Sequence, residues 1–182
     1  MTSHCYVAFL RGINVGRAKR IAMADLCALV EGLGYTDVRS VLNSGNVVFQ
    51  APGTSAQEAA AAIEEALVLK LGVAARVFVL KHSELSAVID GNPLLDIADD
   101  HARLIVFLLG DPAQRDKLAA LDGKDWGCDR LAVGERAAYV WCPEGMLDSA
   151  AATALGKQLG DGTTSRNWNT LTKLHALCKE PR

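Results

Sequence analysis

The chain has 182 residues, and 19 Lys and Arg against 21 Asp and Glu leave a formal net charge of −2. Half of the residues are apolar and 22% are charged, a globular composition that excludes a disordered, collagen-like or membrane-embedded chain. A chain of this length buries roughly 70% of its unfolded surface, so its core needs no disulfide or metal. The near balance of charge also excludes a generally basic nucleic-acid coat.

Cys5–Leu10 reads as a short apolar strand that ends on Arg11. It is too short for a secretory signal, and no later apolar run reaches membrane-spanning length, so a cytoplasmic protein with no membrane contact is expected. A glycine-punctuated basic loop follows to Ala22. Leu26, Leu29, Val30 and Leu33 then fall at helical spacing, with Gly34 as the stop. Val38–Leu42 and Val47–Gln50 read as strands, joined by Asn43-Ser44-Gly45-Asn46, residue types that tolerate a hairpin's positive φ. Ser55 and Glu58 form a capping box ahead of a helix carrying Ile63, Ala66, Leu67 and Leu71, which Gly72 ends. Ala75–Lys81 alternates like a half-buried strand. The order β-α-β-β-α-β is that of a split βαβ unit.

A short helix from Ser83 to Ile89 leads to Gly91-Asn92-Pro93 and an acidic loop with Asp96, Asp99 and Asp100. The pattern then restarts. Arg103–Leu109 is a strand, Asp111-Pro112 opens a helix to Leu121, and Leu131–Val133 and Ala137–Trp141 form a second hairpin around Gly134-Glu135. Helices follow from about Met146 to Leu159 and from about Trp168 to Cys178. The second half therefore reads β-α-β-β-α-α, with its last strand replaced by a helix or missing. The expected fold is α+β: two ferredoxin-like (split βαβ) halves, residues 1–92 and 93–182, packed as one unit with an extra C-terminal helix. The second half is not expected to fold independently. A parallel α/β sheet is the rival, disfavoured because both hairpin connections are too short for a crossover.

Charge is unevenly placed. Residues 1–24 carry +4, residues 163–182 carry +3, and the middle carries −9. Two basic ends suggest a local anion-binding face. Three motifs supply candidate ligand groups. Arg11-Gly12-Ile13-Asn14-Val15-Gly16 is a glycine loop between a strand and a helix, where backbone N–H groups can approach an anion, although it matches neither a Walker loop nor GxGxxG. Leu42-Asn43-Ser44-Gly45-Asn46 is explained as a tight turn, yet offers Ser44 and Asn46. In Thr163–Thr170, Arg166, Asn167 and Asn169 exceed what one helix cap requires, and an arginine fork suits phosphate or carboxylate. Trp168 is either core or a stacking platform.

Catalytic and metal constellations are poor. His4, His82, His101 and His175 form no HExxH or similar close pair, and Asp99-Asp100-His101 is a weak cluster of consecutive residues. Cys5, Cys27, Cys128, Cys142 and Cys178 include no CxxC and read as reduced apolar fillers. No metal site or cofactor is expected, the catalytic residues are unknown with no base identified, and the question of enzymatic activity stays open.

Taken in order, AFLRGINVG, MADLCALVEGLGYTDV, LNSGNVVF and TSRNWNTLTKL resemble the bacterial family known as domain of unknown function 1697, from Ala8 to Leu174. The chain departs from the family's pattern at Arg17, where a second glycine is usual. The resemblance implies two ferredoxin-like halves and no established activity. The reading is a protein that binds a small phosphorylated or carboxylated molecule between the Arg11–Gly16 loop and the Arg166–Asn169 segment. A nucleic-acid-binding module and an interaction domain without a ligand are the alternatives. Only Tyr6, Phe9 and Phe49 could serve as base-stacking aromatics on the first sheet, and the acidic middle opposes a long phosphate track. The oligomeric state is left open.

Overall fold

The computed structural model describes residues 4–14 and 20–179; Gly16 and Arg17 lie outside the described residues. The chain divides into two compact units, one comprising Met1–Leu85 and Lys173–Arg182, the other Ser86–Thr172.

In the first unit, β1 (Cys5–Leu10), β2 (Thr36–Val41), β3 (Asn46–Gln50) and β4 (Val77–Lys81) form an antiparallel sheet in the order β2-β3-β1-β4. Alternation along the strands sends Tyr6, Ala8, Leu10, Val47, Phe49, Val77 and Val79 to one face. There they pack with Leu26, Leu29 and Val30 of α1 (Met23–Gly32) and Ile63 of α2 (Ala56–Ala66). The expected capping box is present: Ser55 Oγ accepts the Glu58 N–H at 3.1 Å, and Glu58 Oε2 accepts the Ser55 N–H at 2.8 Å. Beyond α2 the helix widens into a π turn, Leu67–Leu71, which Gly72 closes. The residues on the opposite sheet face, Cys5, Val7, Phe9, Val48, Phe78 and Leu80, are also buried. This is why β1 reads as an unbroken apolar run rather than an alternating one.

α3 (His82–Asp90) follows directly on β4 and crosses the division between the units. The second unit repeats the sheet order with β5 (Leu104–Leu109), β6 (Arg130–Val133), β7 (Ala137–Trp141) and β8 (Thr163–Asn167), arranged β6-β7-β5-β8 and again antiparallel. Ile105, Phe107, Leu109, Ala138 and Val140 pack there with Leu155 and Leu159 of α4 (Ala150–Leu159). The chain is thus a mixed α/β protein with two four-stranded antiparallel sheets, and α5 (Trp168–Lys179) is its C-terminal helix.

Four expectations are corrected. The second half does not lack its last strand: Thr163–Asn167 pairs along β5, from Ile105↔Asn167 to Leu109↔Thr163. Its polar residues carry no apolar alternation, so the hydrophobic pattern is silent on it. The helix after Asp111 is a 3-10 segment, Pro112–Leu118, although its capping box with Gln114 forms. The helix expected from Met146 begins instead at Ala150, because Ser149 caps it behind a short 3-10 turn. Cys5 and Cys178 are not reduced fillers; they form a disulfide with Cα atoms 5.9 Å apart, while Cys27, Cys128 and Cys142 are free thiols. Their separation of 173 residues hides the pairing from any spacing rule.

Candidate functional site

The first two sequence motifs become one structure in the first unit. As β1 ends, the Leu10 N–H donates to the Gly45 carbonyl at 2.9 Å and the Arg11 N–H to the Arg76 carbonyl at 2.9 Å. The backbone then turns through Gly12, whose φ of +73° suits glycine, and through Asn14 at φ 53°. Asn14 clips this turn in place. Its Nδ2 donates to the Ile21 carbonyl at 2.9 Å and the Asn43 carbonyl at 2.8 Å, and its Oδ1 accepts the Ile21 N–H at 2.7 Å. Both amide hydrogens are therefore engaged inside the protein.

Gly45 sits against the same loop. With φ +84°, an added Cβ would lie 2.8 Å from Ile13 Cδ1 and 2.9 Å from Leu10 Cβ, so the turn admits no side chain there. Asn46 is buried, and its Nδ2 donates to the Val41 carbonyl at 3.0 Å and to Ser44 Oγ at 2.8 Å. Asn14 thus ties the loop to the turn, and Asn46 braces the turn from within. Around this frame Arg11, Arg20 and Arg76 are exposed. Arg20 Nη1 donates to the Asn14 carbonyl, which ties the second arginine to the turn. Beside Arg76, Glu64 Oε1 accepts the Val77 N–H at 2.8 Å.

The third motif lies at the β8–α5 junction of the second unit. Arg166 pairs with Val106 across the sheet, and its Nη1 donates to Thr164 Oγ1 and to the Ser165 carbonyl, both at 2.7 Å. Burial pushes its guanidinium down to about 10, so it remains a cation at neutral pH. Asn167 Oδ1 accepts the Thr170 N–H at 2.9 Å, the bond of a helix N-cap. Asn169 is exposed on the first turn of α5, and its carbonyl accepts the Thr172 hydroxyl at 3.1 Å. Trp168 is 4% exposed, so it belongs to the core and offers no stacking face.

Sequence reasoning missed Arg76. The signal was available in the strand pairing: with Leu10 opposite Val77, the residue before β4 must stand beside the residue after β1. It also missed the buried Asp129, whose Oδ2 accepts the Ser149 hydroxyl at 2.8 Å. Near it, burial and then the Asp129 charge push the Cys142 thiol up to about 11, the opposite of an activated nucleophile. A shallow depression of about 380 Å³ beside α4 is lined by Leu147, Ser149, Thr153 and Lys157 and by none of the predicted ligand residues. Among the described residues no three His, Cys, Asp or Glu side chains are gathered so as to hold a metal ion. No helix among them is long and apolar enough to cross a membrane.

Comparison with known proteins gives a family and a fold. The family model described as "Protein of unknown function (DUF1697)" matches residues 3–139. No curated protein matches the chain. Among solved structures, conserved bacterial protein SP0830 from Streptococcus pneumoniae is similar, with a TM-score of 0.79 and 23% sequence identity. The match covers 98% of this chain and 100% of that one; at this identity the likeness is one of fold.

Proposed function

The chain belongs to the DUF1697 family, which carries no assigned activity, and from that premise we propose that it binds a small phosphorylated or carboxylated molecule at the arginine-bearing end of the first sheet. The observation that carries this reading is the placing of three exposed arginines around one braced turn: Arg11 within it, Arg20 bonded to the Asn14 carbonyl, and Arg76 joined to Arg11 through the backbone with its guanidinium over the Phe78 ring. Guanidinium forks match the oxygens of phosphate and carboxylate. Gly12 lacks a side chain where the backbone is exposed, and the clip from Asn14 keeps the turn from collapsing onto itself. In this reading Arg11, Gly12 and Ser44 face the ligand, and Asn14 and Asn46 position them. Arg166, Asn167 and Asn169 form a second candidate group, to be tested separately. Buried Tyr6, Phe9 and Phe49 present no stacking platform, which supports a small ligand over RNA. The shared strand orders β2-β3-β1-β4 and β6-β7-β5-β8 support reading each unit as a ferredoxin-like half. A cytoplasmic setting belongs to the same reading.

A thermal-shift screen of anionic metabolites tests it, since a ligand that binds the native state raises apparent stability. Arg11→Ala and Arg76→Ala are each expected to weaken a hit by about 1.5–3 kcal/mol, the range for hydrogen bonds to charged groups. Arg11→Lys should recover only part of the loss. The salt dependence should be shallow, against a slope of about −0.9 per phosphate for a duplex. Hits indifferent to both alanine substitutions but lost in Arg166→Ala would move the site to the second unit.

A further inference from the structure

Among the described residues other than glycine, Asn14, Asp37 and Leu42 hold a positive φ, at 53°, 51° and 59°. The first two have a local account. Asparagine tolerates the left-handed region, and Asn14 uses it to clip the loop after β1. Asp37 lies where the β2–β3 register shifts, between Thr36 and Arg39, and aspartate tolerates the same region. Leu42 has neither excuse. In that region its Cβ crowds the following carbonyl oxygen, which is why glycine or asparagine usually stands there. Packing does not offset the cost, because Leu42 is 56% exposed. Leu69 and Leu147 are also exposed, but neither carries this backbone penalty. A single exposed leucine is ordinary on a protein surface. One held there against its backbone preference is not, and such outliers cluster at ligand sites.

Leu42 opens the connection between β2 and β3, directly after the pair Val41↔Asn46. This is the turn braced against the arginine-bearing loop. The carbonyl of the next residue, Asn43, accepts Asn14 Nδ2 at 2.8 Å, and the Asn14 carbonyl accepts Arg20 Nη1. At the far end of the turn the Gly45 carbonyl accepts the Leu10 N–H at 2.9 Å, one residue before Arg11. An exposed apolar side chain thus stands on the same frame as exposed Arg11 and Arg20. We propose, resting on the anion site described above, that Leu42 is a specificity residue: the anion taken there bears an apolar aryl or alkyl substituent, which Leu42 covers.

The two parts of such a ligand divide between two kinds of side chain. Guanidinium forks take the phosphate or carboxylate oxygens. The substituent leaves water against Leu42, whereas a small polar anion would leave that leucine solvated. Asparagine would suit the backbone better and give the same turn, so what leucine adds is apolar contact. Covering on the order of 60 Å² of apolar surface is worth roughly tenfold in affinity. Salt screens the charged part of the interaction and not the apolar part, so the preference for the substituent should survive added salt while both affinities fall.

Methyl phosphate and phenyl phosphate carry the same anionic group and differ in the substituent; acetate and benzoate repeat the comparison for carboxylates. Each is titrated into the full-length protein at low salt and followed by ligand-observed NMR. The wild-type protein should bind the phenyl member of each pair roughly tenfold more tightly. Leu42→Asn should bring that ratio close to one, and Leu42→Met should keep most of it. Leu42→Asn should melt no lower than wild type, because asparagine tolerates this backbone, so its lost preference is not a loss of fold. Arg11→Ala should weaken both members of a pair by the same factor. A ratio near one in the wild type, or one that Leu42→Asn leaves unchanged, overturns the role of Leu42 while arginine-dependent binding keeps the anion site. Failure to bind any of the four probes overturns both, as does binding indifferent to Arg11→Ala and Arg76→Ala. Attachment to phosphatidic acid vesicles without binding of phenyl phosphate or benzoate also overturns the proposal, in favour of a membrane surface.

Discussion

At the scale of single residues, burial sets the acid–base behaviour of Tyr139, Cys142 and Arg166. The Tyr139 hydroxyl donates to the Val88 carbonyl at 2.6 Å, and burial pushes its pKa from 10 up to about 12. The neutral phenol is the form the fold favours. Its contribution is therefore complete below pH 10 and is lost as pH rises toward 12, where the unfolded chain ionises first. Cys142, raised from 9 to about 11, acts in the same direction. Arg166 acts in the opposite one: with its pKa lowered to about 10, the folded chain sheds a proton before the unfolded chain does and gains stability as pH rises past 10. The wild-type profile is a sum of opposing slopes, so a difference measurement isolates the phenol. Tyr139→Phe should cost about 1–2 kcal/mol at neutral pH, from the lost hydrogen bond and the orphaned carbonyl. That cost should shrink as pH climbs above 10, as read by urea unfolding of both proteins. A penalty independent of pH would contradict the assignment. Of the candidate ligand residues, the sequence marks Asn14, Asn46 and Asn167 as unusual, but not their use. An amide that braces a turn and one that grips a ligand have the same composition, and only the hydrogen-bond partners separate them.

At the scale of elements, the start of α4 shows how a buried charge is accommodated. Ser149 Oγ accepts the Ala152 N–H at 3.0 Å and donates to Asp129 Oδ2 at 2.8 Å, so one hydroxyl caps a helix and stabilises a buried carboxylate. Ser149→Ala should lower stability by about 2–4 kcal/mol, combining a lost cap with a lost bond to a charged group. Ser149→Thr should recover most of it. A loss under about 1 kcal/mol in chemical denaturation would show that Asp129 finds another donor. Elements with an apolar pattern or a side-chain cap are legible in the sequence: β1, β5, β7 and α2 lie close to where spacing and capping place them. β8 is not. Its Thr-Thr-Ser-Arg-Asn stretch holds its place through backbone pairing with β5, and the Thr163 hydroxyl donating to the Leu108 carbonyl at 2.7 Å adds to that. Neither interaction leaves an apolar signature. The 3-10 geometry after Asp111 is hidden for a related reason, since cap and proline specify where a helix starts but not how tightly it winds.

At the scale of the molecule, the first unit is assembled from both ends of the chain. Residues 173–179 bring it the buried Leu174, the disulfide partner of Cys5, and the Leu177 carbonyl, which accepts from Arg39 Nη2 at 2.9 Å. A fragment of residues 1–92 lacks all three. It should show no cooperative urea transition, and a fragment that folds as a stable monomer would refute this. The repeated strand order was half legible in advance: the first β-α-β-β-α-β series is visible in the sequence, whereas the second depends on the strand that polarity conceals. The return of the chain's end to its beginning also sets a timetable for synthesis. At about 5–20 residues per second, the ribosome spends on the order of ten seconds on the roughly 90 residues between Leu85 and Lys173. Throughout that interval the nascent β1 and β2 wait with the seat of α5 unfilled, and a chaperone at the tunnel exit would find its apolar client there.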